Sequence, residues 1–326
     1  RNGYGLAEEV LNILEIYDRL DHWKPDLVTL SLVYTAISDT HPEKASKILK
    51  RAEQLHSSSS FPLSTVKNGN NGASTSPSHK DNDREHSWKE VLNKEGVSVL
   101  HDSADYFILN KPSGMSLQEI ETILIEEQAV PLSKLNPDGS RGFVHRLDVG
   151  TSGCLVLAKN NAMHAMLISQ FFLRQVHKSY IAMVCNPSSS VGQDKVACPR
   201  SGVIDHPVNG LPAQSSYAFL DKDHLLPLKS SSLMSILQLT TKQGRKHQVR
   251  VHCAEGLDRP IVLDPLYGGE RIMYKVDSTA LKKARSQCQF CLHADQIFFP
   301  ALGVTVKAPV PAWWNDICND VERRQQ

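Results

Sequence analysis

No apolar run in this sequence approaches the roughly 18 residues that a bilayer-spanning helix needs; Cys154-Leu155-Val156-Leu157-Ala158 is typical of the longest. No membrane role is expected. Charge of one sign is lacking too: 36 Lys and Arg stand against 35 Asp and Glu, a net charge of +1. No global field therefore draws the chain to nucleic acid or lipid, and an anionic partner must be met by a local patch. Cysteines are few, odd in number at seven, and irregularly spaced, which argues against a disulfide framework and for a reducing compartment. The close pair Cys288-x-x-Cys291 has no second pair or histidine partner at zinc spacing, so no metal is expected. The chain opens at Arg1 rather than methionine, and a targeting segment cannot be read from it.

What is present suits a folded protein. Hydrophobic residues make up 40% and charged residues 22% of 326 residues, which predicts one large domain plus a smaller unit, or two domains. The first 55 residues carry a weak internal repeat: residues 7–14 align with residues 42–49, so that Val10 meets Ala45, Ile13 meets Ile48 and Leu14 meets Leu49. Both segments read as helices, with a further helix over residues 27–37 and Pro42 in the first turn of the next. This pattern, with Lys24-Pro25-Asp26-Leu27-Val28-Thr29, resembles a pentatricopeptide repeat, about one and a half units of it. Residues 56–86 are rich in Ser, Asn and Gly and read as a disordered linker. The expected domains are thus 1–55, a linker over 56–86, and 87–326.

The third part mixes periods of two and 3.6. Strands are expected at residues 97–100, 106–110, 154–158, 179–184, 234–240, 249–252 and 295–299. Ser116-Leu117-Gln118-Glu119 is a capping box opening a helix with Leu117, Ile120 and Leu124 on one face. Asn160 or Asn161 should cap a helix buried through Met163, Met166, Leu167 and Phe171. Trp314, Ile317, Cys318 and Val321 stripe a terminal helix. The fold class is α+β, built on a large, mostly antiparallel sheet with flanking helices.

The most informative run is Gly142-Phe143-Val144-His145-Arg146-Leu147-Asp148-Val149-Gly150-Thr151-Ser152-Gly153. A carboxylate after His and Arg, before a Gly-bearing turn and a buried strand, places Asp148 at a strand entrance facing a cleft. With Asn110-Lys111-Pro112-Ser113-Gly114, Lys178-Ser179-Tyr180, Gly244-Arg245-Lys246-His247-Gln248-Val249-Arg250-Val251-His252 and Asp264-Pro265-Leu266-Tyr267-Gly268, in that order, it resembles the RluA-type pseudouridine synthase family.

The resemblance implies an isomerase of uridine in structured RNA, rRNA or tRNA, working as a monomer and needing no cofactor. It makes Asp148 the catalytic carboxylate, acting either as nucleophile at C1′ or as base at C2′. Arg250 is implied to pair with Asp148 and hold it ionised, Tyr180 to stack on the target uracil, and Leu147 and Leu292 to line its site. A stacked uridine must flip out to meet Asp148, and Arg146 is the candidate to fill the vacated space. Lys111, Arg245 and Lys246 are candidate phosphate contacts. His145, His247 and His252 are expected to hold loops. The competing reading is an RNA-binding adaptor whose synthase-like domain is silent. Pentatricopeptide repeats mostly occur in organelle RNA proteins, so the resemblance implies a mitochondrion or plastid.

Overall fold

The structure, a computed structural model, describes residues 29, 30, 33, 34, 37, 41–58, 88–126, 130–136, 140–187, 199–220, 233–241 and 243–323. The expected helix at residues 7–14 and most of the expected linker lie outside these. Helix α1 spans Pro42–Ser58, so the helical segment runs past the boundary at residue 55 drawn from composition.

Strands β1 (Ser98–Asp102), β2 (Tyr106–Lys111) and β3 (Thr151–Ala158) form an antiparallel ladder. The middle of this ladder is apolar at nearly every position because both of its faces are covered. Tyr106, Ile108, Cys154, Val156 and Ala158 face one buried cluster, closed by Leu167 and Ile168. Phe107, Leu109, Leu155 and Leu157 face another, closed by Trp88, Leu92, Ile120 and Leu124. Ile120 and Leu124 belong to α2 (Leu117–Glu126), opened by the expected capping box: the Ser116 amide donates to Glu119 Oε2 at 2.6 Å and the Glu119 amide to Ser116 Oγ at 3.2 Å. Asn160 caps α3 (Asn161–Phe172), accepting from the Met163 amide. The buried face of α3 is His164, Leu167, Ile168, Gln170 and Phe172, shifted from the expected stripe. Met163 and Phe171 are partly buried and pack against the same cluster from its edge.

The sheet continues through β4 (His177–Cys185), β5 (Ser201–Asp205), β6 (Gln214–Phe219), β7 (Met234–Thr241), β8 (Leu292–Phe299) and β9 (Val304–Lys307). The strand order is β1-β2-β3-β8-β4-β7-β6-β5, with β9 pairing β8. The β3·β8 pair is parallel and the others are antiparallel. Strand β4 runs along one edge of β8, while β3 takes residues 292–294 on the other edge and β9 takes residues 296–299. The parallel seam therefore opens where β9 begins. The terminal helix, Trp313–Arg323, buries the expected Trp314, Ile317, Cys318 and Val321.

One element departs from expectation in kind. Residues 249–252 read as a strand, but α4 (Gln248–Val251) is a single helical turn that runs into a π-helical turn at His252–Gly256. The β-branched Val249 and Val251 favour a strand only on a half-buried surface. Here Gln248 through Cys253 are all buried, and the Gln248 side chain ties the turn to the backbone of Gln214 and Arg245.

Gly153 makes the parallel seam possible. It sits at φ 108°, and a β-carbon there would overlap the Ala294 backbone of β8. Gly153→Ala is expected to lower stability by about 3 kcal/mol or more, combining overpacking with left-handed strain. The denaturant midpoint measures it, and a midpoint unchanged from wild type would show that β3 and β8 separate at no cost.

Candidate active site

Asp148 lies three residues before β3, and the end of β2 holds its loop in place. The Gly114 amide donates to the Val149 carbonyl at 2.9 Å, Ser113 Oγ to the Gly150 carbonyl, and the Thr151 amide back to the Asp148 carbonyl at 3.0 Å. Lys111 completes the brace. Its ammonium donates to the carbonyls of Pro112, Met115 and Val149 at 2.9, 2.6 and 2.9 Å. Burial pushes its pKa down to about 7 against the pull of Asp148. The expectation that Lys111 meets RNA phosphate is corrected: the residue is 0% exposed, and its charge is spent inside the protein on backbone carbonyls. Gly150 lies against Phe290, whose ring a β-carbon would overlap.

Helix α4 brings Arg250 to Asp148, with Nη1 at 3.0 Å from Oδ2. The rest of the guanidinium is clamped by Asp264, Nε to Oδ2 at 2.7 Å and Nη2 to Oδ1 at 2.9 Å. Asp264 is wholly buried and also accepts from the amides of Leu266 and Tyr267. Phe290 and Tyr267 lie under the guanidinium plane, their ring centres 4.6 and 5.2 Å from its carbon. Burial disfavours the arginine's charge, but the two carboxylates outweigh it and hold its pKa above the usual value. The Asp148 side chain keeps 21% of its surface open, so the carboxylate is held on one side by a fixed cation and reachable on another.

His247 approaches the other carboxylate oxygen, with Nε2 3.6 Å from Asp148 Oδ1. Its Nδ1 is 3.0 Å from the Tyr267 hydroxyl. It adopts a left-handed backbone, φ 59°, which for a residue with a β-carbon costs about 1 kcal/mol. Asp148, Arg250, Asp264, Tyr267 and His247 thus close a ring of contacts.

Tyr180 sits at a bulge where β4 slips its register against β8 between Ser179 and Ile181, a device that re-aims a side chain beside a site. With Leu147, Lys178, Ala294 and Ile297 it lines a small hollow next to Asp148. Burial first, and the nearby Asp148 second, push its hydroxyl up to about 12. It therefore enters the site as a neutral phenol. Leu292 is buried at the start of β8, in the same cluster against which Tyr180 packs.

The expected residues Asp148, Arg250, Tyr180 and Leu147 thus come together at one cleft. Arg146 and Lys246 are exposed. Arg245 is partly exposed and donates from Nη1 to the Tyr34 hydroxyl at 2.7 Å, while the Tyr34 ring meets Phe172 edge-on at 4.9 Å. Asp264, Tyr267 and Phe290 were not singled out from sequence. The first two stand in a motif quoted for the resemblance, but spacing alone says nothing of a clamp around an arginine. Cys288 is exposed and Cys291 buried.

A mixed sheet thus carries an arginine-paired carboxylate, Asp148, with Tyr180 nearby. A family model described as RNA pseudouridylate synthase matches residues 105–255. "Ribosomal large subunit pseudouridine synthase D" of Xylella fastidiosa is 31% identical over 245 residues, covering 68% of this chain and 67% of that protein. An "Uncharacterized RNA pseudouridine synthase" of Zymomonas mobilis is 30% identical over 235 residues, covering 67% of this chain and 96% of that protein. Mouse "Pseudouridylate synthase RPUSD4, mitochondrial" is 29% identical over 254 residues, 65% of either chain. The solved structure of Human RNA Pseudouridylate Synthase Domain Containing 4 shares the fold at a TM-score of 0.52 and 23% identity, covering 74% of this chain and 97% of that one. The chain belongs to the RNA pseudouridine synthase family and is an isomerase of uridine in RNA.

The Asp264 clamp makes a measurable demand. Asp264→Asn is expected to lower stability by about 3 kcal/mol, the order seen when one partner of a buried ion pair is removed, and to slow turnover because Arg250 loses its anchor. Denaturant titration and single-turnover pseudouridine formation check both; a variant unchanged in both would show that other contacts place Arg250.

Proposed function

We propose that Asp148 is the catalytic carboxylate of this synthase, with Arg250 and Tyr180 as its partners. The observation that carries the reading is the partly exposed Asp148 carboxylate paired to a buried, permanently charged guanidinium. In the reaction the N1–C1′ bond breaks, the uracil turns, and C5 bonds to C1′. The C5 hydrogen leaves as a proton and N1 gains one. Nothing is oxidised or reduced, so the chemistry asks for no cofactor. Attack at C1′ and proton removal at C2′ make the same demand on Asp148: ionisation close to the sugar. Arg250 supplies it. Tyr180, a neutral phenol on the wall of the hollow, stacks on the uracil, with Leu147 and Leu292 as apolar lining. Arg146, exposed two residues before Asp148, fills the space the flipped uridine leaves, and Lys246 and Arg245 meet phosphates. A silent adaptor would need no such ring, and all of its members come from one chain, so a monomer suffices.

The substrate we propose is structured rRNA or tRNA. The Xylella relative's name, which refers to the large ribosomal subunit, supports rRNA, and the mouse relative's name, which refers to the mitochondrion, supports a mitochondrial site. The helical segment is proposed as a pentatricopeptide-like hairpin; the buried Leu30, Val33, Ile37, Ala45 and Ile48 are what any packed helical segment shows, and the synthase domain proper begins near residue 87.

Asp148→Asn is expected to abolish pseudouridine formation while RNA affinity and melting temperature stay near wild type, since the change keeps size and deletes only the charge. Product formation at more than trace level by the pure variant would sink the assignment. A chain beginning near Ser87 is expected to keep its saturated rate and lose apparent affinity on long RNA, because a tethered accessory segment acts through effective concentration. A fall in saturated rate beyond about tenfold would place the helices within the catalytic unit.

A further inference from the structure

Two atoms of Asp148 are held very differently. Oδ2 accepts from Arg250 at 3.0 Å, whereas Oδ1 has His247 Nε2 at 3.6 Å, beyond hydrogen-bond length but well within reach of a charge–dipole attraction. His247 is itself fixed on its far side by the Tyr267 hydroxyl at 3.0 Å and by ring contact, with centroids 5.8 Å apart at 86°. Tyr267 is in turn held by its amide, which donates to Asp264.

The ring nitrogens of a neutral histidine carry one hydrogen between them. Were it on Nδ1, the Nε2 lone pair would face a carboxylate, which is repulsive. With it on Nε2, an N–H points at Asp148 and the Tyr267 hydroxyl donates to the bare Nδ1. Burial, and the cations Arg250 and Lys246, disfavour the doubly protonated ring, against the attraction of Asp148 and Asp264. Burial likewise keeps the Tyr267 hydroxyl protonated, as a donor. The left-handed backbone of His247 is what swings the ring into this position just before α4 begins, and strain of this kind persists where surrounding contacts impose it.

We propose that His247, set in its Nε2–H tautomer by Tyr267, is a positioning residue for Asp148: it orients the loosely held oxygen Oδ1 toward the ribose while Arg250 anchors Oδ2. The proposal rests on Asp148 as the reactive carboxylate and names which of its oxygens reacts. Tyr267 acts through His247.

The test is single-turnover pseudouridine formation at saturating enzyme, with RNA affinity measured separately, on the full chain and on four variants. His247→Ala is expected to slow the chemical step by about tenfold to a hundredfold, the order that a misplaced reacting group costs, with RNA affinity unchanged. His247→Gln, whose amide N–H reaches toward the place of Nε2–H, is expected to recover most of that loss. Tyr267→Phe should be slowed less than His247→Ala, and the double variant His247→Ala with Tyr267→Phe should be no slower than His247→Ala alone, because the two residues act as one unit. An unchanged rate in His247→Ala overturns the proposal. So does an affinity loss equal to the rate loss, which would make His247 an RNA contact, and so does a Gln variant as slow as Ala, which would make the ring mere packing. Activity of Asp148→Asn would instead overturn the reading on which the proposal rests, whatever the His247 variants do.

Discussion

A guanidinium cannot shed its proton in a protein, so a buried arginine must be given anions. Arg250 is buried, and the chain supplies two. Asp264 has no solvent exposure and gives both oxygens to Arg250 while accepting two backbone amides, so its role is to hold the arginine. Asp148 is bound through one oxygen and is open to the cleft. This asymmetry turns a structural ion pair into a site. One carboxylate bears the cost of burial, and the other enjoys a fixed positive neighbour without being locked into it.

Much of the surrounding architecture serves to bring that arginine and that aspartate to one point. Asp148 enters from the seam of β3 and Arg250 from a one-turn helix far along the chain, and neither element is stable alone. The loop before β3 depends on Lys111, whose ammonium binds three carbonyls from two segments. Such a cation behaves as a brace: it satisfies backbone acceptors that a buried loop cannot turn toward water. The seam in turn depends on Gly153, and across it Ser152 Oγ and His293 Nδ1 lie 2.9 Å apart while His293 Nε2 reaches the Ala308 carbonyl. Burial pushes the His293 pKa down to about 4, so this link is a neutral hydrogen-bonded one and adds no charge beside the site.

The sheet was legible where a short run is apolar at nearly every position because both faces are covered, as in residues 106–110 and 154–158, and the helices where caps mark them, as at Ser116 and Asn160. The terminal helix was read correctly to its four buried residues. Residues 249–252 were misread because Val-x-Val alternation mimics a strand, whereas the deciding feature, a left-handed His247 followed by a buried Gln248 that ties down the turn, is a tertiary fact. The candidate site was legible as motifs and not as geometry. Asp148, Arg250 and Tyr180 could be named only through the family resemblance, and Lys111 was taken for a phosphate contact, whereas it is buried under the loop. Nothing in the sequence says that three carbonyls converge on it. Asp264 escaped for the converse reason: an aspartate before proline reads as a turn, and its burial against Arg250 appears only in three dimensions.

The electrostatics of the whole chain fit this division of labour. With a net charge of +1, affinity for RNA has to come from cations gathered near the cleft. Arg146 stands two residues before Asp148 and Lys246 directly before His247, and both are exposed. Arg245 joins them although it already binds the Tyr34 hydroxyl. A neutral hydroxyl is a weaker acceptor for a guanidinium than a phosphate oxygen, whose charge-assisted bonds are about twice as strong. On the reading proposed above, the contact with the helical segment leaves Arg245 able to exchange that hydroxyl for an RNA phosphate.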